Sequence, residues 1–123
     1  MNTLTESNNF IVYNEYEGVF LKNKLTGQEV QIGDFYGDPQ GAIISADEQY
    51  CLMFGCGVII YYLKLPFEPF QYHTKSAQWE VWGREGNSED VWVENVEIDT
   101  QGQICITTDS GDIIKIKKFL QGL

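Results

Sequence analysis

The chain has very little with which to do chemistry. It contains one histidine, His73, one arginine, Arg84, three prolines and three cysteines in 123 residues. A single imidazole excludes the histidine-rich metal sites and leaves one residue for any Ser-His or Cys-His pair. Cys51, Cys56 and Cys105 each sit in or beside an apolar run, and their odd number fits buried free thiols better than a disulfide framework. The longest apolar run, residues 58–63, is far too short to cross a bilayer. The first residues, Met1-Asn2-Thr3-Leu4-Thr5-Glu6, lack the basic-then-apolar order of a signal peptide, so the expected compartment is the cytoplasm. Helical periodicity is nearly missing, which removes bundles and amphipathic membrane helices from consideration.

Positive charge is also scarce. The net charge is −10, and residues 29–112 hold fifteen Asp/Glu against three Lys/Arg. Binding to phosphate backbones needs a basic footprint, so direct nucleic-acid binding is excluded as the expected function. An acidic surface repels nucleic acids and anionic membranes and attracts basic proteins.

What is present is aromatic and β-forming: seven Tyr, seven Phe and three Trp, in short alternating runs separated by turn residues. Segments 42–62 and 96–116 align without a gap. They share Ile44/Ile98, Gln49/Gln103, Cys51/Cys105, Gly57/Gly111, Ile59/Ile113 and Ile60/Ile114. A weaker third copy is Gly18-Val19-Phe20-Leu21 set against Gly57-Val58-Ile59-Ile60, so glycines 18, 57 and 111 are expected to open equivalent strands. Lys24-Leu25-Thr26-Gly27 reads as a hairpin turn with positive φ at its glycine. About ten strands are expected, over residues 9–13, 18–22, 28–32, 42–45, 50–54, 58–64, 77–82, 91–99, 103–108 and 112–117. The spacing predicts one all-β domain over residues 1–123, made of antiparallel meander units at about 9–41, 42–76 and 77–118.

The order of apolar pair, polar turn such as Asp47-Glu48 or Gln101-Gly102, strand, glycine turn and further strand resembles the meander units of β-propeller proteins of the WD40-like kind. Lys24-Leu25-Thr26-Gly27 is similar to a hairpin common in them. The chain departs from that family in having no Trp-Asp strand ending and no Gly-His opening, and it has room for under three of the family's blades. The resemblance therefore implies an open, partial propeller, with a β-sandwich as the alternative. Open sheet edges would invite a homodimer or another partner.

Candidate sites follow from the charge. The segment from Trp79-Glu80-Val81-Trp82 to Trp92-Val93-Glu94 brings together all three tryptophans with Glu80, Glu85, Glu89, Asp90 and Glu94. If Glu80 and Trp82 share an outward face, an aromatic anchor sits among acids, the composition of a protein-binding hot spot. Asp34 and Asp38, in the glycine-rich loop 33–41, are further candidates. Carboxylate pairs such as Asp47-Glu48, or His73, leave a small enzyme open, and stacking on Trp82 leaves a carbohydrate binder open. Asp99-Thr100-Gln101-Gly102 and Asp109-Ser110-Gly111-Asp112 fall short of a calcium loop in ligand number. No metal or cofactor is expected. In size, acidity and lack of catalytic groups the chain resembles the small immunity proteins that bacteria use against nuclease toxins. That resemblance implies a non-enzymatic binder of a basic protein partner. A structural module that assembles through sheet edges is the alternative.

Overall fold

The computed structural model describes residues 2–72, 74–83 and 91–116. They form eleven strands: β1 (Asn2–Glu6), β2 (Phe10–Glu15), β3 (Gly18–Asn23), β4 (Glu29–Asp34), β5 (Gly41–Ile44), β6 (Tyr50–Gly55), β7 (Gly57–Tyr62), β8 (Trp79–Trp82), β9 (Val93–Ile98), β10 (Ile104–Thr108) and β11 (Ile113–Ile116). Each strand pairs antiparallel with its sequence neighbour, giving sheets β1-β2-β3-β4, β5-β6-β7-β8 and β9-β10-β11. The fold is all-β and built of meanders, as the turn spacing implies. None of the sheets closes into a barrel.

The sheets are layered, with the second in the middle. Along β6 and β7, alternate side chains go to opposite faces. Cys51, Met53, Ile59 and Tyr61 join Val12, Val19, Leu21 and Ile32 of the first sheet in one core. Leu52, Phe54, Val58 and Ile60 join Val93, Val96, Ile104 and Ile106 of the third sheet in another. Burial on both faces explains why residues 50–62 read as nearly continuous apolar runs, whereas β9 and β10 alternate. Gly33 permits the close approach of the first two layers: a Cβ there would lie 2.9 Å from the Met53 sulfur.

Two strands differ from the sequence reading. The polar segment Asn2-Thr3-Leu4-Thr5-Glu6 forms an edge strand, β1, which its weak alternation conceals; only Leu4 packs on the first core. The expected unit boundary at residue 77 falls one strand before the third sheet, because β8 pairs with β7. The 42–62 and 96–116 segments lie on β5-β6-β7 and β9-β10-β11. Gly57 and Gly111 adopt φ of 82° and 91°, but Gly18 does not take a left-handed conformation; in its hairpin that role falls to Tyr16, at φ 54°.

The long β7–β8 connection is held by Gln78, a buried side chain. Its amide nitrogen donates to the carbonyls of Tyr62 (2.6 Å) and Lys64 (2.9 Å), and its amide oxygen accepts from the Glu68 N–H at 3.1 Å. Phe67 and Phe70 pack on the first core, and the Phe70 N–H donates to the Gln31 carbonyl at 2.8 Å, covering part of the β4 edge.

Glu48 joins the first two sheets. Its carboxylate accepts from the Ser7 hydroxyl, from the Asn9 N–H at 3.0 Å and from the Asn9 side-chain amide at 2.6 Å. The Ser7 bond first, and then those of Asn9, hold the Glu48 carboxyl below its ordinary range. A depressed folded-state pKa contributes stability above the unfolded value, and that stability is lost as pH falls through the folded pKa. Glu48→Ala is therefore expected to lower the melting temperature at neutral pH. The gap to the parent protein should close on acidification below the carboxylate range, as read by thermal unfolding across a pH series.

Candidate functional site

Up-and-down topology sends alternate turns to the same end of the molecule. The end carrying the β2–β3, β4–β5, β6–β7, β8–β9 and β10–β11 connections is tied together across all three sheets. Glu17 accepts from the Phe35 N–H through its carbonyl (2.9 Å) and from the Gly37 N–H through its carboxylate (2.8 Å). The Gln40 N–H reaches the Phe54 carbonyl at 2.8 Å, and the Gly57 N–H reaches that of Val91 at 2.7 Å. The ring of Trp92 lies against Gly37, where a Cβ would come within 3.4 Å of it. The Asp109 N–H donates to the Trp92 carbonyl at 3.0 Å.

This end is acidic. Glu15, Glu17, Asp34, Asp38, Asp109 and Asp112 lie in or beside its turns, and Glu94 is the second residue of β9, which starts there. Among the described residues, the carboxylates of Glu15, Asp34, Asp38, Glu94 and Asp109 make neither a side-chain hydrogen bond nor an ion pair. No lysine stands in these turns. Lys22, Lys24 and Lys64 are at or just beyond the strand ends on the opposite side, where Lys24 pairs with Glu6 at 2.6 Å, the one ion pair among the described residues. Arg84 falls in the β8–β9 connection, outside the described residues.

Exposed aromatics gather at the same end. Tyr16 is 86% exposed at the tip of the β2–β3 hairpin, Tyr36 is 52% exposed in the β4–β5 loop, and Trp92 is 45% exposed. Tyr36 meets Tyr72 edge-on, with ring centroids 5.9 Å apart. Nothing in the strand pattern demanded these side chains. The signal available in the sequence is an aromatic residue inside a turn between acids, as in Glu15-Tyr16-Glu17.

The structure divides the residues named from sequence. Asp34, Asp38 and Glu94 belong to the acidic end. Glu85, Glu89 and Asp90 lie outside the described residues, as do His73 and the 119–123 tail. Glu80 and Trp82 do share a face of β8, but it is the face turned toward the third sheet, not outward. Trp82 is half-buried against the second core, and Glu80 accepts a hydrogen bond from the Tyr62 hydroxyl. Burial, together with that bond, pushes the Tyr62 hydroxyl pKa up. Trp79 is core, stacked on Tyr61 at 6.2 Å. The exposed tryptophan is Trp92.

Other chemistry is absorbed by structure. Asp99 accepts the N–H groups of Gln101 and Gln103 at 2.9 Å each, closing its own turn. Asp47 accepts from the Ser45 hydroxyl at 2.8 Å. Cys51 and Cys56 are buried and Cys105 is half-buried; burial raises the pKa of Cys51, which makes it a poor nucleophile. Among the described residues no three His, Cys, Asp or Glu side chains form a metal-binding group, and no helix is long and apolar enough to cross a membrane. Searches against protein-family models, curated proteins and solved structures give no match to this chain.

Proposed function

We propose that the chain is a non-enzymatic, cytoplasmic binding protein that neutralises a basic protein partner, in the manner of an immunity protein against a bacterial nuclease-type toxin. The observation that carries the reading is the make-up of the acidic end. Unpaired carboxylates and exposed aromatics share one end, while Lys22, Lys24 and Lys64 stand at the other. An acidic surface of this kind attracts a basic partner and speeds association. Over a positive nuclease cleft, Asp34, Asp38 and Asp109 would stand where substrate phosphates lie. Glu94 would extend the same face, and Glu85, Glu89 and Asp90 are further candidates named from the sequence.

Affinity capture from the native host's lysate at low and moderate salt, read by mass spectrometry, tests this. A stoichiometric basic partner that is released as salt rises supports the reading. Capture of further copies of the chain, insensitive to salt, would replace it with assembly through sheet edges. One observation favours that second reading: β11 has no neighbour on its outer side among the described residues and exposes Ile113 to 68%.

A further inference from the structure

We infer that the acidic end recognises arginine side chains specifically, through Tyr16, Tyr36 and Trp92, and that the partner surface it fits is arginine-bearing rather than merely positive. The inference rests on the proposed function and names the chemistry of contact.

Tyr16 occupies a two-residue hairpin loop closed by the Glu15–Gly18 pair. Its φ of 54° is one that glycine adopts without cost, yet a tyrosine stands there with its ring in solvent. The buried Asn14 amide donates to the Tyr16 carbonyl at 3.0 Å and fixes the turn. Glu17 then fastens this hairpin to the loop bearing Tyr36, that loop's Gly37 lies under the Trp92 ring, and the Trp92 backbone holds Asp109. The three rings are thus set on backbone that is already ordered before any partner arrives, which lowers the entropic cost of contact.

Charge decides the occupant. Rings neighboured by Glu15, Asp34, Asp38 and Asp109, in turns whose sequence holds Arg84 as its one basic residue, repel anions and acidic peptides and have no use for a neutral apolar one. A lysine ammonium satisfies the carboxylates as a point charge. A guanidinium does more, since it stacks on an aromatic face while its N–H fork reaches a carboxylate. Exposed rings beside unpaired carboxylates in linked turns suit the second kind of cation.

Titration calorimetry of the full chain with decaarginine and with decalysine, at equal and moderate salt, tests the inference. Decaarginine is expected to bind more tightly than decalysine. Tyr16→Gly and Tyr36→Ser are each expected to weaken decaarginine binding by about two- to fivefold, the range for one exposed cation–π contact, and to leave decalysine binding unchanged. Tyr16→Gly places glycine where glycine is conformationally at ease and removes a ring that packs on little, so the fold is kept; circular dichroism verifies it for both variants. Equal affinity for the two peptides, or a preference that survives both substitutions, overturns the arginine inference and leaves a purely electrostatic binding end. Binding of neither peptide overturns the inference and the proposed function together.

Discussion

Ile59→Ala and Ile60→Ala are each expected to lower the free energy of unfolding by about 3 kcal/mol, the usual cost of emptying a well-packed core site. The two residues are neighbours on β7 and point to opposite faces, and both are buried. In a two-layer sandwich, one of two consecutive strand residues faces water, and its truncation costs little. Here Ile59 lies in the core shared with the first sheet and Ile60 in the core shared with the third. Urea denaturation of the single variants measures both losses. Comparable losses follow from a sheet covered on both sides; one large and one negligible loss would contradict the layered arrangement. Against a total stability of about 5–15 kcal/mol for a domain of this size, either change is severe.

Reversing charge at the acidic end carries the other large effect. The triple substitution of Asp34, Asp38 and Asp109 to Lys is expected to slow association with a captured basic partner by at least about tenfold at low salt, and to flatten the salt dependence of the rate. These carboxylates serve no internal hydrogen bond or ion pair among the described residues, so their loss should leave the melting temperature nearly unchanged. Glu17 is the contrasting case. Its carboxylate accepts the Gly37 N–H, and Glu17→Ala should loosen the β4–β5 loop as well as remove a charge. Tyr16→Gly is expected to move stability the other way, raising it by up to about 1 kcal/mol through relief of a left-handed conformation at a non-glycine residue. Thermal unfolding separates the three behaviours.

Much of the fold was legible in the sequence, because short strands with glycine and Asx turns follow from local chemistry. The turn at Lys24-Leu25-Thr26-Gly27 shows this: Gly27 takes φ 76°, and the Asn23 side chain accepts the N–H groups of Leu25 and Thr26. β1 was hidden because an exposed edge strand with one core-facing leucine carries almost no periodic signal. The placement of β8 was hidden for a different reason. Trp79-Glu80-Val81-Trp82 alternates correctly, but its partner is decided by the long return through residues 63–78, pinned by the single amide of Gln78.

The site was partly legible. Acidity, and the membership of Asp34, Asp38 and Glu94, came from composition and loop position. Which tryptophan is exposed did not, because strand alternation says that Glu80 and Trp82 share a face without saying which layer covers that face. The third sheet covers it, and Trp92, at the strand start, is left outside. That these acids share one end follows from topology: consecutive strands alternate in direction, which brings residues 16–17, 35–40 and 109–112 to the same end.

The measurement that bears most directly on the account compares two charge reversals of equal size. One replaces Asp34, Asp38 and Asp109 with Lys; the other replaces Glu6, Glu29 and Asp99, which lie at or near the opposite end, with Lys. Association of each variant with the captured basic partner is followed by stopped-flow at low salt, after thermal unfolding has shown both to be folded. The account predicts a large loss of rate for the first variant and a small one for the second. Equal losses, or a greater loss for the second, would contradict the claim that the turn end bearing Tyr16, Tyr36 and Trp92 is the binding face.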